Sequence, residues 1–139
     1  MSRPASLELV PIGTVESPLT DREAAPKQGD EGAPEAWLVF AEGVSAALEG
    51  LSAGDELLVL TWLDRADRSV LRVRPRGDAS RPVQGVFGTR SPDRPNPIGL
   101  HRVHVVEVDG LRLRVRHLEA LDGTPVVDVK PVLRDADER

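Results

Sequence analysis

The sequence predicts an all-β fold: a single-domain β-barrel with one short helix and long loops. Eight short segments have the composition or alternation of β-strands, whereas only one has helical spacing. Several short strands with few helices are typical of a barrel or a closed sheet. No internal repeat, heptad pattern or linker divides the 139 residues, so we expect one domain over 1–139.

The first part of the chain combines short strands with a long loop. Strands are expected over residues 7–15, where Pro11 indicates an edge or a bulge, and over 37–40. Between them, residues 17–35 are rich in Pro, Gly and acidic side chains and predict a long loop. A short helix ending near Gly50 is predicted by apolar residues at helical spacing, namely Val44, Ala47, Leu48 and Leu51.

The remainder of the chain consists mostly of predicted strands. Residues 56–62 form a continuous apolar run, which predicts a central strand buried on both faces. The other predicted strands are 70–74, 83–87, 102–108, 111–116 and 125–129. Asp109-Gly110 predicts a two-residue hairpin turn with positive φ at both positions. The tail, residues 134–139, is expected to fray.

One predicted strand alternates more clearly than the others. In residues 111–116, Leu and Val alternate with Arg112, Arg114 and Arg116, which predicts an apolar face and a cationic face.

Composition excludes several classes of protein. The chain has no cysteine, which excludes disulfides and thiolate metal sites and favours a reducing, cytoplasmic location. No apolar run approaches the roughly 20 residues of a membrane helix, so no membrane association is expected. The three histidines share no metal-ligand spacing, and no Ser/His/Asp set can be proposed. An enzyme of this composition would work by positioning a reactive cofactor.

Charge is unevenly distributed along the chain. Residues 1–50 carry three basic and nine acidic residues, a balance of 3 − 9 = −6. Residues 68–102 carry eight arginines against two aspartates, a balance of 8 − 2 = +6. The arginine-rich 68–102 segment is therefore a candidate anion-binding surface. The alternative is that Arg72, Arg74 and Arg76 are solvent-facing strand residues.

Residues 85–100, GVFGTRSPDRPNPIGL, form the most unusual segment. We call this segment the proline motif. Its three X-Pro bonds restrict the backbone, so the segment is stiff before anything binds. Arg90 and Arg94 could offer bidentate donors to a carboxylate or phosphate. Gly99 permits close backbone approach or positive φ. The alternative is a rigid crossover that serves folding alone.

A second cluster, residues 118–125, contains the turn signal Asp122-Gly123. Asp122 and Thr124 could hydrogen-bond a ligand hydroxyl or amine. The alternative is a plain turn in which Asp122 bonds its own backbone.

These two segments together resemble the TsaA-like family, also called TrmO-like or VirR-related. The family pattern is close to GVFATRSPxRPNPIGLS, followed by LDGTPVxDIKPY. The match is strong over about 50 residues and weaker elsewhere. The resemblance implies a β-barrel that binds S-adenosyl-L-methionine, forms homodimers with the site near the interface, and methylates threonylcarbamoyl-modified adenosine in tRNA. The 68–102 segment could then track tRNA phosphates.

The resemblance also implies the cofactor-binding residues. They are Pro26, Lys27, Gln28, Asp64, Arg65, Arg90, Leu100, Leu118, Glu119, Ala120, Leu121, Asp122, Gly123 and Thr124. No general base is assigned, although Asp64 or Asp122 could accept a proton.

Three positions depart from the family pattern. Lys27 stands where Arg is usual, Asp64 where His is usual, and His101 where Ser is usual. Two alternatives to tRNA methylation therefore stay open: an S-adenosylmethionine-binding module, and a methyltransferase acting on a small molecule.

Overall fold

The computed structural model describes residues 5–21 and 33–133, and within them the chain forms eight β-strands. The strands are β1 Gly13–Glu16, β2 Ala36–Phe40, β3 Glu56–Trp62, β4 Arg72–Val73, β5 Gln84–Gly85, β6 Ile98–Asp109, β7 Arg112–Arg116 and β8 Pro125–Pro131. Short 3₁₀ helices cover Glu42–Leu48, Pro75–Gly77 and Val86–Gly88. The predicted tail at 134–139 and most of the predicted loop at 17–35 lie outside the described residues.

Six strands close into an antiparallel barrel in the order β1-β2-β7-β6-β3-β8. The ring is completed where β8 returns to β1, with Gly13 opposite Val126 and Thr14 opposite Pro125. The all-β prediction is confirmed. β4 and β5 form a separate two-stranded ribbon.

The barrel interior is filled by aliphatic side chains from alternate strand positions. Because successive side chains point to opposite faces, every second residue of a strand enters the core. Those with no exposed surface include Val15, Leu38, Val59, Val105, Leu113, Val115, Leu118 and Val126. Because aromatic residues are scarce, the core consists mainly of Val and Leu.

β3 has the predicted bounds but not the predicted burial. Leu57, Val59 and Thr61 are buried, while Leu58 and Leu60 are only half-buried. The expectation of burial on both faces was wrong, because β3 lies in a barrel wall with one face inward. Its neighbours β6 and β8 both pair with it, so its central position in the sheet is confirmed.

β6 begins at Ile98 and not at residue 102 as predicted. The end of the proline motif is therefore part of the barrel wall. Gly99 and His101 are buried on its inner face. Pro97 is buried and its carbonyl accepts the Leu63 N–H at 2.8 Å, which joins the start of β6 to the end of β3.

Other predicted boundaries were displaced. β1 starts at Gly13, and residues 7–11 of the predicted strand stay exposed, with Leu7 at 87% and Val10 at 70%. The predicted helix is 3₁₀. In the β6–β7 hairpin, Asp109 still pairs with Arg112, so the turn is Gly110-Leu111. Only Gly110 has positive φ, at 58°, and the expectation for Asp109 was wrong.

The two-faced character predicted for β7 is confirmed. Leu113 and Val115 are fully buried, while the arginines face outward. Arg112 and Arg114 lie over the Trp37 ring, 4.6 and 5.9 Å from its centroid. Arg114 also pairs with Glu35 at 3.1 Å. This cationic face therefore packs on the neighbouring strand β2.

Candidate functional site

A cleft of about 1010 Å³ opens where β3 ends, β6 begins and the chain passes from β7 to β8. Because these strands are antiparallel, all of those points lie at the same end of the barrel. The cleft wall also includes parts of the β4–β5 ribbon and of the proline motif. Its size is at the upper end of the range for small-molecule sites.

The proline motif is held in shape by its own Arg94. The Arg94 guanidinium donates to three backbone carbonyls, those of Thr89 and Ser91 at 3.0 Å and that of Val86 at 2.8 Å. We expected Arg94 to offer its donors to a ligand, but the structure uses them inside the loop. Backbone without regular secondary structure needs such partners for its carbonyls.

A second arginine fixes the other side of the motif. Arg68 donates from Nε to the Pro95 carbonyl at 2.7 Å and from Nη2 to Asn96 Oδ1 at 3.0 Å. Its guanidinium also lies 5.2 Å from the centroid of Trp62, at the end of β3. The motif is thus attached to the barrel as well as braced internally.

Arg90 differs from both of these arginines. It lines the cleft, is exposed, and makes no hydrogen bond or ion pair with the described residues. Its fork of donors is therefore available to a carboxylate or phosphate in the cleft.

Three polar side chains form a buried chain at the inner end of the cleft. Thr61 Oγ1 lies 2.7 Å from His101 Nε2, and His101 Nδ1 lies 2.6 Å from Glu119 Oε1. Thr61 is fully buried and the His101 side chain is 4% exposed, whereas that of Glu119 is 16% exposed. His101 and Glu119 both line the cleft. These hydrogen bonds thus connect the barrel interior to a carboxylate at the cleft surface.

Gly99 makes room for this arrangement. A Cβ at position 99 would lie 2.4 Å from Thr61 Oγ1 and 2.7 Å from His101 Nε2, distances that real Cβ atoms do not show. Of the two roles considered for Gly99, close approach and positive φ, the structure shows the first.

Most of the residues implied as cofactor-binding converge on this cleft. Those that line it are Asp64, Arg65, Arg90, Leu100, Glu119, Ala120, Leu121 and Thr124. Pro26, Lys27 and Gln28 lie outside the described residues.

Three of the implied residues do not line the cleft. Leu118 is fully buried in the barrel core. Asp122 Oδ1 accepts the Ser17 N–H at 3.0 Å, and the Gly123 N–H donates to the Val15 carbonyl at 2.8 Å. Asp122 and Gly123 therefore attach the β7–β8 connection to β1 and the residues after it. Neither of the two roles considered for Asp122, ligand contact or a bond to its own backbone turn, describes this contact.

The sequence did not reveal the buried polar chain. Thr61, His101 and Glu119 lie on three separate segments, 40 and 18 residues apart along the chain. One signal was available in the sequence. If β6 is started at residue 98, Gly99 and His101 are two residues apart and therefore lie on the same face of the strand.

Two aspartates in loops near the cleft have altered acidity. The Ser69 hydroxyl, and then its backbone N–H, hydrogen-bond Asp67 and lower its pKa below the ordinary value. Ser80 lowers the pKa of Asp78 in the same way. The Asp67 N–H also donates to Asp93 Oδ1 at 2.8 Å, which links its loop to the proline motif.

Within residues 5–21 and 33–133, no group of three or more His, Asp or Glu side chains is placed to hold a metal ion. No helix among the described residues has the length and apolar character needed to cross a membrane.

Comparison with known proteins gives a consistent family. The model of the tRNA-methyltransferase O N-terminal domain matches residues 14–138. A probable S-adenosyl-L-methionine-binding protein of Methanothermobacter thermautotrophicus is 46% identical over 94% of this chain and 93% of its own length. An S-adenosyl-L-methionine-binding protein of Archaeoglobus fulgidus is 43% identical over 88% of this chain and 86% of its own.

The structural comparison agrees. The crystal structure of TrmO from Pseudomonas aeruginosa superposes with a TM-score of 0.76 and 30% identity, covering 97% of this chain. This chain spans 58% of the length of that protein.

Proposed function

Because the chain belongs to the family of the tRNA-methyltransferase O N-terminal domain, we propose that it is an S-adenosylmethionine-dependent methyltransferase that acts on tRNA. Its acceptor in this proposal is the exocyclic nitrogen of threonylcarbamoyl-modified adenosine. The observation that carries the proposal is the cleft itself, which a braced proline motif, a free arginine and a carboxylate enclose at one end of the barrel.

The residues of the cleft fit the chemical groups of S-adenosylmethionine. Arg90 can bind the carboxylate of the methionine portion through two parallel hydrogen bonds. Leu63, Ile98 and Leu100 offer apolar surface for the adenine. Glu119 Oε2 makes no hydrogen bond with the described residues and can accept one from a hydroxyl or amine. Pro26, Lys27 and Gln28 remain cofactor-contact candidates through the resemblance alone.

In this proposal the protein acts mainly by positioning. S-adenosylmethionine supplies an activated methyl group on a positively charged sulfur. The stiff proline motif fixes the backbone that carries Arg90 before binding, which lowers the entropy cost of ordering the site. In this proposal the barrel end aligns donor and acceptor, which can account for a large part of the rate enhancement.

The arginines around the cleft support an anionic acceptor. Arg65, Arg74, Arg81, Arg90 and Arg94 all line it. Two of them already donate hydrogen bonds within the protein: Arg94 to carbonyls of its own loop and Arg74 to the Arg81 carbonyl. The number of phosphates that such a surface neutralises can be measured, because the logarithm of the tRNA affinity falls linearly with the logarithm of salt concentration. A flat salt dependence would exclude the tRNA acceptor.

The proposal includes a homodimer. Phe87, Leu71 and Val83 are 84%, 64% and 42% exposed and lie on or beside the β4–β5 ribbon and the 3₁₀ turn that follows it. A second copy could cover these side chains next to the cleft. We expect light scattering to give twice the chain mass, and Phe87→Ser to shift it to the monomer. Leu7→Ser, at an equally exposed position in the N-terminal segment, is the control. A monomeric wild type would exclude the dimer.

One observation favours a second candidate function. The relatives that are 46% and 43% identical to this chain are named for S-adenosylmethionine binding, and their names mention no tRNA. The chain could therefore bind S-adenosylmethionine as a module, or methylate a small molecule. Both alternatives predict tight cofactor binding without salt-dependent tRNA binding. A cytoplasmic location belongs to the tRNA proposal, since its acceptor is found there.

The first test is calorimetric titration with S-adenosylmethionine. We expect micromolar binding by the wild type and a loss of about ten-fold or more in Arg90→Ala, because a charge-assisted bidentate contact is removed. Arg72→Ala is the matched control, an exposed arginine on β4 that does not line the cleft. No binding by the wild type would overturn the proposal. Equal affinity of a folded Arg90→Ala protein would remove Arg90 from the site.

A further inference from the structure

Glu119 is the only carboxylate lining the cleft, among the described residues, that has a buried side chain bonded behind it. Its Oε1 is held by His101 Nδ1 at 2.6 Å, and His101 is held in turn by Thr61 at 2.7 Å. An ionised carboxylate only accepts hydrogen bonds, so His101 Nδ1 donates to Glu119, and in the neutral ring Nε2 then accepts from the Thr61 hydroxyl. The ring cannot turn without losing both bonds, and the carboxylate is thereby fixed in direction.

The other acidic groups near the cleft lack this arrangement. Asp64 is exposed to solvent, and Asp93 is occupied by the Asp67 N–H at 2.8 Å. Asp122, which the sequence suggested as a possible proton acceptor, is outside the cleft lining and bonds the Ser17 backbone. Among the described residues that line the cleft, Glu119 alone combines partial burial, a fixed orientation and a carboxylate oxygen without a hydrogen bond to the described part of the chain.

We propose that Glu119 accepts the proton released by the methyl acceptor, and that His101 and Thr61 are positioning residues that aim it. The inference rests on the proposed methyl-transfer function. The acceptor N–H gives its proton to Glu119 Oε2, the nitrogen electron pair forms the bond to the methyl carbon, and the S–CH₃ bond breaks. Its electron pair stays on sulfur, which becomes a neutral thioether. The proton leaves Glu119 for water after product release.

This role requires Glu119 to lie where the methyl group is transferred and not at a distant part of the cofactor. A pair of ligands can distinguish these positions without any acceptor. Sinefungin carries a C–NH₃⁺ group where S-adenosylmethionine carries its S–CH₃ group, whereas S-adenosylhomocysteine has no group there. A carboxylate at the transfer point would form a charge-assisted hydrogen bond with the ammonium group of sinefungin alone.

The experiment compares sinefungin and S-adenosylhomocysteine by calorimetry on the wild type and Glu119→Gln. Gln keeps an oxygen for His101 but loses the charge. We expect sinefungin to bind about ten-fold or more weakly to Glu119→Gln, with S-adenosylhomocysteine changed by less than about three-fold. Glu49→Gln, the same change at an exposed position outside the cleft lining, is the matched control and should alter neither affinity by more than that factor.

Each other outcome has a definite meaning. Equal weakening of both ligands would place Glu119 against a part that they share, such as the ribose, and would overturn the inference while leaving the proposed function intact. Unchanged affinity for both would also overturn it. Failure of the wild type to bind either ligand or S-adenosylmethionine would overturn the proposed function itself, and this inference with it.

The positioning role of His101 has its own test. His101→Asn retains an N–H near the position of Nδ1, whereas His101→Leu removes it. With tRNA as acceptor in single-turnover methyl transfer, His101→Leu should lower the rate by about ten-fold or more at saturating S-adenosylmethionine, and His101→Asn should restore much of it. If the two variants, matched for folding by thermal melts, are equally slow or equally fast, His101 does not act through Glu119.

Discussion

Replacing Gly99 by alanine should destabilise the barrel more than the same replacement at Gly77 or Gly88, the other glycines that line the cleft. The added Cβ would lie 2.4 Å from Thr61 Oγ1, 2.7 Å from His101 Nε2 and 3.1 Å from Leu63 Cδ2. Thr61 and His101 are both buried, and Thr61 sits directly opposite Gly99 in the β3–β6 register. Neither can move away without leaving its place in the barrel wall.

The cost has two parts. Overpacking of a filled interior costs about 1–3 kcal/mol. Separation of Thr61 from His101 loses a buried hydrogen bond worth about 1 kcal/mol. A total of about 3 kcal/mol corresponds to a fall in Tm of about 10 °C for a domain of this size.

Urea unfolding followed by circular dichroism measures this change as a lower midpoint with unchanged m. Gly43→Ala is the control, because a Cβ there meets nothing within 4 Å, and it should stay within about 0.5 kcal/mol of the wild type. Thr61→Ala in the Gly99→Ala background should recover part of the loss, since the nearest obstructing atom is then absent. A Gly99→Ala protein as stable as the Gly43→Ala control would refute the reasoning.

Three more perturbations have defined outcomes. Arg94→Ala removes the donor of three backbone carbonyls and should cost about 2–3 kcal/mol by urea unfolding, whereas Arg90→Ala, in the same loop, should leave stability unchanged. His117 has φ of 71°, a left-handed conformation that costs less for glycine, so His117→Gly should raise the unfolding midpoint slightly, and a fall would contradict this expectation. The pKa of Asp67 is lowered by folding, so its contribution to stability is present above the ordinary aspartate pKa and is lost as pH falls through the lowered value. Asp67→Asn should therefore flatten the acid side of the stability profile, and an unchanged profile would contradict this.

The sequence predicted strands well where the pattern was unambiguous, either a continuous apolar run or a regular alternation. The apolar run of β3 gave its bounds, and the Leu/Arg alternation of β7 gave its two faces. The start of β6 was missed because its first residues, Ile98 to His101, follow three X-Pro bonds and include a glycine, which together indicate loop. Only the pairing with β3 shows that they extend the wall.

The candidate site was predicted in part for a related reason. Residue type indicated that the proline motif holds cationic donors, but not that Arg94 would turn back on its own carbonyls while Arg90 stays available. The hydrogen-bonded series Thr61–His101–Glu119 depends on the end of β3, the start of β6 and the β7–β8 connection meeting in space. Such a contact has no local signature, because hydrogen bonds between distant segments follow from barrel closure and not from spacing.

The closure of the barrel also constrains how the protein can fold during synthesis. β1 is the first described strand and β8 the last, yet they are neighbours, and the Ser17–Asp122 bond joins residues 105 apart along the chain. A ribosome adds roughly 5–20 residues per second, so β1 waits several seconds for its partner. During that time β1 can pair with β2 along one edge, while its other edge, which β8 will occupy, remains unpaired. The free edge of β1 is therefore open to pairing with other strands until β8 has emerged.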